Sequence, residues 1–254
     1  MLGLTVWLTG IFVRGLILYR GIKGKALPRY RVFFTYIASA LLADCLLYII
    51  RIAKPGMYAE FFWGAQFLTL ALGCGILLEV FQHVLSPYPG AEKFARTVAL
   101  IVFAAVFCFA ILYPRVAAGR ASASATTFEL ERDLRTVQAI FLFAVLAVIS
   151  YYGITIGKNM KGMIYGYALY IATSLVGLAV HSYARPALRD IWDLIPPFSF
   201  TVSNVIWLIG MWTYHPEPAP EPDIHVERDY EAFAARTKDL MGTVRSHMAR
   251  GARA

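Results

Sequence analysis

Seven long stretches of nearly uninterrupted apolar residues alternate along the chain with short segments that carry most of its charge. Each stretch approaches the about 20 residues that a helix needs to cross a hydrocarbon core of about 30 Å. An isolated strand in lipid would leave its backbone groups unpaired, so the pattern predicts helices. The predicted spans are roughly 2–19, 32–50, 61–85, 97–117, 136–157, 162–183 and 197–214. The sequence therefore predicts an all-α fold, in which residues 1–214 form a polytopic membrane bundle of seven transmembrane helices.

The composition agrees with this pattern. Apolar residues make up 59% of the 254 residues and charged residues 16%, against roughly 45–50% and about 25% in soluble domains. The net charge is +8, and residues 1–214 hold 18 of the 24 Lys and Arg but only 9 of the 16 Asp and Glu. The basic excess therefore lies in loops beside the bilayer, where it indicates topology and contact with anionic lipid. Because these residues are scattered over several short loops, we predict no nucleic-acid partner.

The first apolar stretch sets the predicted orientation. It begins at Met1 without a basic segment, and a cluster of Lys and Arg follows it over 20–31. A cleaved signal peptide has the opposite polarity. The predicted inside loops carry nine basic residues and the outside loops eight, so the orientation rests on this first cluster and on the shorter inside loops. We predict a protein integral to the cytoplasmic membrane, with its N-terminus outside and its C-terminus in the cytoplasm.

The polar C-terminal segment has two predicted parts. Residues 215–225 are Pro-rich and acidic, which is typical of an extended linker. Residues 226–254 form a cytoplasmic tail with helical periodicity. One face of that predicted amphipathic helix carries Tyr230, Phe233, Leu240, Val244 and Met248. A helix that binds the membrane surface or a protein partner and a frayed, partly helical terminus both fit this short pattern.

Three ionisable side chains fall inside predicted spans: Arg14, Asp44 and Glu79. Such residues are costly in a bilayer and are functional candidates by default. Arg14 and Glu79 both lie about 9 Å from the cytoplasmic edge at 1.5 Å per helical residue, so an intramembrane ion pair between them is predicted. In the alternative interpretation Arg14 extends alone to the interface and Glu79 caps a loop donor.

Asp44 has no charged partner at its predicted depth, but polar residues of spans 6 and 7 fall near it. We predict an outward-opening ligand-binding pocket formed by Asp44, Tyr170, Ser174, Thr201 and Asn204. The alternative is that these side chains form interhelical hydrogen bonds, worth about 0.6 kcal/mol each, that only hold the bundle together.

The sequence gives little evidence for a haem, metal, retinal or catalytic site. His83 and His215 match in predicted depth only, so bis-histidine haem is disfavoured and we predict no cofactor and no metal. Residues 197–214 contain no Lys for a retinal Schiff base. No nucleophile elbow, phosphate loop or metalloprotease helix is present, so we predict that the chain is not an enzyme.

Two GxxxG spacings, Gly153 with Gly157 and Gly162 with Gly166, favour close helix packing. They fit packing within the bundle at least as well as a homo-oligomer.

The chain resembles a group of bacterial seven-span membrane proteins that have no assigned function. The resemblance rests on Arg31-Val-Phe-Phe-Thr-Tyr36, on Glu79-Val-Phe-Gln-His-Val84 followed by Pro87, and on Trp207-Leu-Ile-Gly-Met-Trp212. It covers the membrane body and not the tail, and it implies seven spans without implying an activity.

The leading functional hypothesis is a receptor- or sensor-like module that binds a small or lipid-like ligand and signals to a separate partner. The span count, the polar cluster around Asp44 and the tail motivate it. A non-catalytic accessory or structural subunit of a larger membrane complex is the alternative, and a small-solute transporter with Asp44 or Glu79 as coupling carboxylate is the third.

Overall fold

The computed structural model describes residues 2–117, 123–183, 195–215, 228–232 and 234–239. The ordered elements are α1 (Leu2–Lys23), α2 (Arg31–Ala53), a 3-10 turn (Pro55–Met57), α3 (Tyr58–Leu85), α4 (Pro89–Ala117), α5 (Ala123–Tyr151), α6 (Lys158–Tyr183) and α7 (Ile195–Met211). Residues 228–232 and 234–239 are also helical, while the rest of the predicted tail and residues 216–225 of the predicted linker lie outside the described residues. The predicted all-α class is confirmed.

Among the described residues, five helical segments are long and apolar enough to cross a membrane. They are Thr5–Lys23, Arg31–Ala53, Pro55–Leu85, Glu131–Tyr151 and Lys158–Val180. The apolar part of α7, Pro197–Met211, is shorter. The chain is therefore a polytopic helical membrane protein, and the count of seven spans stays a prediction that depends on α4 and α7.

The fifth helix differs most from its predicted bounds of 136–157. It begins at Ala123 and ends at Tyr151. Gly153 follows with φ of +61°, a left-handed conformation that glycine adopts easily and that terminates helices. The sequence pattern placed Arg132 and Arg135 at the end of an outside loop, about 118–135, whose second half could be a short helix extending the fifth span; both residues lie within α5.

Helix contacts arrange α1, α2, α3, α5, α6 and α7 in a closed ring, and α4 packs outside the ring on α3 and α5. The guanidinium of Arg20 lies 3.7 Å from the ring centre of Trp212, which brings the end of α1 to the end of α7. Asn159, at the start of α6, donates to the carbonyls of Gly210 and Thr213 at 2.8 and 2.9 Å. We call the end of the bundle where α7 ends the tail end and the other the opposite end.

Aromatic side chains fill the ring between α2 and α7. Trp207 is fully buried, and its ring centre lies 5.6 Å from that of Phe33 and 5.9 Å from that of Tyr36. Its indole Nε1 donates to the carbonyl of Met163 at 3.1 Å, so the indole also fixes α7 against α6.

Glycine residues allow the backbones of α6 and α7 to approach each other closely. A Cβ placed on Gly162 would lie 2.6 Å from the Cα of Gly210, and one on Gly166 would overlap the Trp207 indole. This GxxxG pair thus packs within the bundle. Gly153, from the other pair, lies in the turn after α5 and faces no atom within 4 Å among the described residues.

Candidate functional site

Arg14 forms an ion pair with Asp44. The Nη2 atom of Arg14 lies 2.5 Å from Oδ2 of Asp44, and Nε donates to the carbonyl of Gly10 at 3.1 Å. The Arg14 side chain is 3% exposed and that of Asp44 26%. The predicted pairing of Arg14 with Glu79 is therefore wrong in its acidic partner.

The direction of the Arg14 side chain explains why its guanidinium lies at the same level along the bundle as Asp44. Long helical side chains extend toward the N-terminus of their helix, and the bond to Gly10 shows this for Arg14. Gly10 is 13 residues before Lys23, and Asp44 is 13 residues after Arg31. Because α1 and α2 are joined at the tail end, both levels lie about 20 Å from it.

Glu79 caps the first turn of α2. Its two carboxylate oxygens accept the backbone N–H groups of Val32 and Phe33 at 3.0 and 2.9 Å. These donors have no partner within their own helix, and the N-cap residue Tyr30 supplies no side-chain cap. The alternative prediction, in which Glu79 caps a donor, is close to this geometry.

Two of the predicted pocket residues, Tyr170 and Asn204, contact Phe200 of α7. Its ring centre lies 5.2 Å from the Arg14 guanidinium and 4.9 Å from the ring centre of Tyr170. The aromatic ring thus separates the Arg14–Asp44 pair from Tyr170, and Asp44 bonds to Arg14 rather than to the predicted hydroxyl groups.

The other predicted pocket residues bond mainly to their own helices. Ser174 donates to the carbonyl of Tyr170 at 2.7 Å, and Thr201 donates to that of Pro197 at 3.0 Å. Asn204 donates to the carbonyl of Phe200 at 2.8 Å. Its Oδ1 atom is buried without a hydrogen-bond partner among the described residues, so Asn204 retains an open acceptor inside the bundle.

A second polar cluster lies between α2, α5 and α6, and we call its residues Arg135, Gln138, Tyr36, Tyr167 and Tyr170 the Arg135 layer. Arg135 is 2% exposed. Its Nη2 donates to the Tyr170 hydroxyl at 2.7 Å, and its guanidinium interacts electrostatically with Tyr167 and Tyr36. The layer therefore surrounds a buried cation with phenol groups.

Among the described residues, the carboxylate that forms an ion pair with Arg135 is that of Glu131, and it accepts no hydrogen bond from the guanidinium. Oε1 of Glu131 lies 3.7 Å from Nη2 of Arg135, beyond hydrogen-bond distance. The same oxygen accepts the side-chain amide of Gln66 at 2.5 Å. The charge of Arg135 is thus partly compensated, while its Nε keeps no hydrogen-bond partner among the described residues.

Several buried polar atoms of the layer have no hydrogen-bond partner within the described part of the chain: Arg135 Nε, Gln138 Oε1 and the Tyr167 hydroxyl. Each such atom costs about 1–3 kcal/mol. The Gln138 amide does donate to the carbonyl of Leu70 at 3.0 Å. Unpartnered groups concentrated around one buried cation are typical of a functional site.

Sequence reasoning missed the Arg135 layer because it placed Arg135 in a loop. The signal was a helical spacing of three and four residues. Leu134, Gln138, Leu142 and Val145 are all buried together with Arg135, so they share one inward face of α5.

The histidines considered for haem bond locally. Nδ1 of His83 lies 2.8 Å from the carbonyl oxygen of Glu79, and Nδ1 of His215 lies 3.0 Å from that of Thr213. Within the described ranges, no group of three or more His, Cys, Asp or Glu side chains is arranged to hold a metal ion.

An apolar groove of about 430 Å³ runs between α2 and α3 toward the opposite end. Its walls are Ser39, Leu42, Ala43, Leu46, Glu60, Phe61, Gly64, Ala65 and Leu68. Ala65 adjoins Gln66, which bonds to Glu131 of the neighbouring α5. The groove therefore lies beside the helices that carry the Arg135 layer.

Fold and site define a polytopic helical membrane protein with a buried polar layer. Comparison of the chain with protein-family models, curated proteins and solved structures finds no match. The resemblance to a bacterial seven-span group stays a prediction, and the site is interpreted from its own geometry.

Proposed function

We propose that this protein is a seven-span receptor- or sensor-like module of the cytoplasmic membrane that binds a small or lipid-like ligand. In this proposal the N-terminus is outside, the tail end is cytoplasmic and the ligand enters from the opposite end. The Arg135 layer is the observation that carries the proposal.

A purely structural role would leave the layer poorly explained. Interhelical hydrogen bonds stabilise membrane bundles by about 0.6 kcal/mol on average, whereas an isolated charge inside a bilayer costs several times more. Arg14 has a carboxylate oxygen at 2.5 Å, whereas the carboxylate oxygen of Glu131 lies 3.7 Å from Arg135. Arg135 keeps an unpartnered Nε, which a ligand acceptor would satisfy.

Contacts at the tail end offer a route to a partner. The Tyr152 hydroxyl donates to Asp229 at 3.3 Å, and the ring of Tyr230 lies 6.2 Å from that of Phe94. Asp229 and Tyr230 therefore contact the chain just after α5 and the first turns of α4. Because α5 also carries Arg135, a ligand that displaces α5 would alter the surface that the tail offers to a separate partner.

Thermal unfolding of the purified full chain in lipid nanodiscs, screened against small polar compounds and extracted lipids, tests the proposal. A ligand at 100 times its Kd adds about 2.7 kcal/mol, or about 5 to 10 °C in Tm for a chain of this size. We expect such a shift for the native protein and for Arg132→Gln, whose side chain is 41% exposed on the same helix. Arg135→Gln should abolish the shift. Tyr170→Phe removes one hydroxyl and keeps the aromatic ring that packs between the helices, so it should reduce the ligand-induced shift in Tm.

Other outcomes favour the competing functions. A subunit of a larger complex would co-purify with stoichiometric partners in mild detergent and show no ligand-induced shift. A transporter would show proton-coupled uptake that Asp44→Asn abolishes. Either result, without an Arg135-dependent shift, would contradict the receptor proposal.

A further inference from the structure

We propose that the Arg135 layer recognises a carboxylate group, so that the ligand is a singly charged carboxylic acid. This inference rests on the proposed function and names the chemical class of the ligand.

The first step concerns the unpartnered N–H donor of Arg135. Arg135 donates one hydrogen bond, to the neutral Tyr170 hydroxyl, and its Nε has no partner in the part of the chain that the structure describes. The Glu131 oxygen nearest to it accepts from Gln66 instead. A guanidinium presents five N–H donors in a planar fork that matches the two oxygens of a carboxylate. An incoming carboxylate would supply the acceptors that Glu131 does not.

The second step concerns the surrounding hydroxyl groups. The phenols of Tyr36, Tyr167 and Tyr170 all interact electrostatically with Arg135. Since the Tyr170 oxygen accepts from Arg135, its own hydrogen points elsewhere. The Tyr167 hydroxyl has no hydrogen-bond partner among the described residues. The layer thus offers O–H donors beside an N–H fork, and a cationic ligand would meet a like charge.

The third step concerns the amount of charge. The layer holds one cation, and Glu131 at 3.7 Å already compensates part of it. A dianion such as a phosphate monoester would leave excess negative charge in a region of low dielectric, where unpaired charge is costly. A monoanion adds less excess negative charge than a dianion, so it is the favoured charge state of the ligand.

Two sources supply such a group: a fatty acid from the bilayer and a small water-soluble acid. The apolar groove beside Ser39 and Ala65 is accessible to an acyl chain, whereas a soluble acid would arrive from the opposite end. The carboxylate is common to both, and chain length separates them.

The test measures Tm of the full chain in zwitterionic nanodiscs with dodecanoate, dodecanol, dodecyl phosphate and benzoate at equal concentration. We expect dodecanoate to raise Tm and dodecanol, which has the same chain without charge, to leave it unchanged. An equal shift with benzoate identifies a soluble acid as the source, and a shift with dodecanoate alone identifies a lipid. Dodecyl phosphate should stabilise less than dodecanoate.

Variants connect the shift to the site. Arg135→Gln should abolish the dodecanoate or benzoate shift, and Arg135→Lys, which keeps the charge and loses the fork, should weaken apparent affinity at least about tenfold. Tyr170→Phe should also weaken it, and Arg132→Gln should not.

Equal stabilisation by dodecanoate and dodecanol, or an acid shift that persists in Arg135→Gln, would overturn the inference. If no acid acts while another compound gives an Arg135-dependent shift, the carboxylate is wrong and the proposed receptor function stands. If no compound gives an Arg135-dependent shift in Tm, the carboxylate inference and the proposed receptor function are both wrong.

Discussion

A charged side chain inside a bilayer is costly unless its polar atoms have partners. Three residues of this protein find such partners to different extents. Arg14 pairs with a carboxylate, Glu79 accepts two backbone N–H groups, and Arg135 binds a phenol and keeps an open donor. The first two arrangements hold helices together. The third leaves an N–H donor open, which is why the proposed ligand site is placed at Arg135.

The Arg14–Asp44 pair gives a prediction at this scale. Arg14→Ala and Asp44→Ala should each destabilise the protein, because either leaves a buried charge unpaired. The double variant should lose less than the sum, with a coupling of about 0.5–3 kcal/mol. Unfolding of the purified protein in mixed micelles by increasing SDS gives these energies. The cycle of Arg14→Ala with Glu79→Ala is the control and should be additive, since the structure gives the two residues separate partners.

The positions of the Cα atoms along the helices were predictable for these residues, but the level of the Arg14 charge and the partners of all three were not. Counting residues from the end of a span locates a Cα atom, whereas a long Arg side chain shifts its charge by about a helical turn. That shift moved Arg14 away from Glu79 and to the level of Asp44. Which helices are neighbours is likewise absent from the pattern of apolar residues.

At the scale of elements, backbone contact between α6 and α7 fixes one side of the ring. Gly162 and Gly210 face each other, so neither position has space for a Cβ. The Trp207 indole lies against Gly166 one turn away and donates to Met163. Small residues thus bring α6 and α7 close enough to align Tyr170 with Phe200.

Gly210→Ala should therefore push α7 from α6 and cost about 1–3 kcal/mol through overpacking. The comparison is Gly15→Ala on α1, where a Cβ would meet no described atom within 4 Å; there alanine should be neutral or slightly stabilising. Thermal unfolding in detergent would show the difference as a lower Tm for Gly210→Ala alone. Equal effects of the two substitutions would contradict close packing at this contact.

Helix bounds followed the apolar pattern to within four residues, except in α4, which begins eight residues before its predicted start, and in α5. The third turn of α5 is polar, with Glu131, Arg132 and Asp133 in sequence, so the apolar pattern placed the start of the span after it. Burial of Arg135 and Gln138 against α2, α3 and α6 compensates for that polarity, and the sequence of α5 alone does not contain those partners.

At the scale of the whole molecule, the closed ring places α4 outside. This helix is 29 residues long, or about 44 Å, enough to cross the bilayer if it lies across it. α7 has 17 residues, or about 26 Å, slightly less than the hydrocarbon core.

Reporter insertions test both the span count and the orientation. In the seven-span arrangement, alkaline phosphatase inserted after residue 120 of the full chain should be active outside, because α4 crosses. Green fluorescent protein fused to the C-terminus should fluoresce inside. Phosphatase inserted after residue 88 is the matched control and should be inactive. Inactive reporters at both residue 88 and residue 120 would show that α4 does not cross. An active reporter at residue 88 with an inactive one at residue 120 and a dark C-terminal fusion would reverse the orientation.

The sequence by itself determined that this protein is a bundle of membrane helices, because long apolar stretches leave lipid as the only suitable solvent and helices as the only way to satisfy the backbone. It also marked Arg14, Asp44 and Glu79 as residues that need partners. Only the tertiary structure decided those partners and exposed the Arg135 layer. Hydrogen bonds and ion pairs depend on which helices are neighbours and on atomic distances of a few ångströms, and neither is encoded in the local pattern of any one helix.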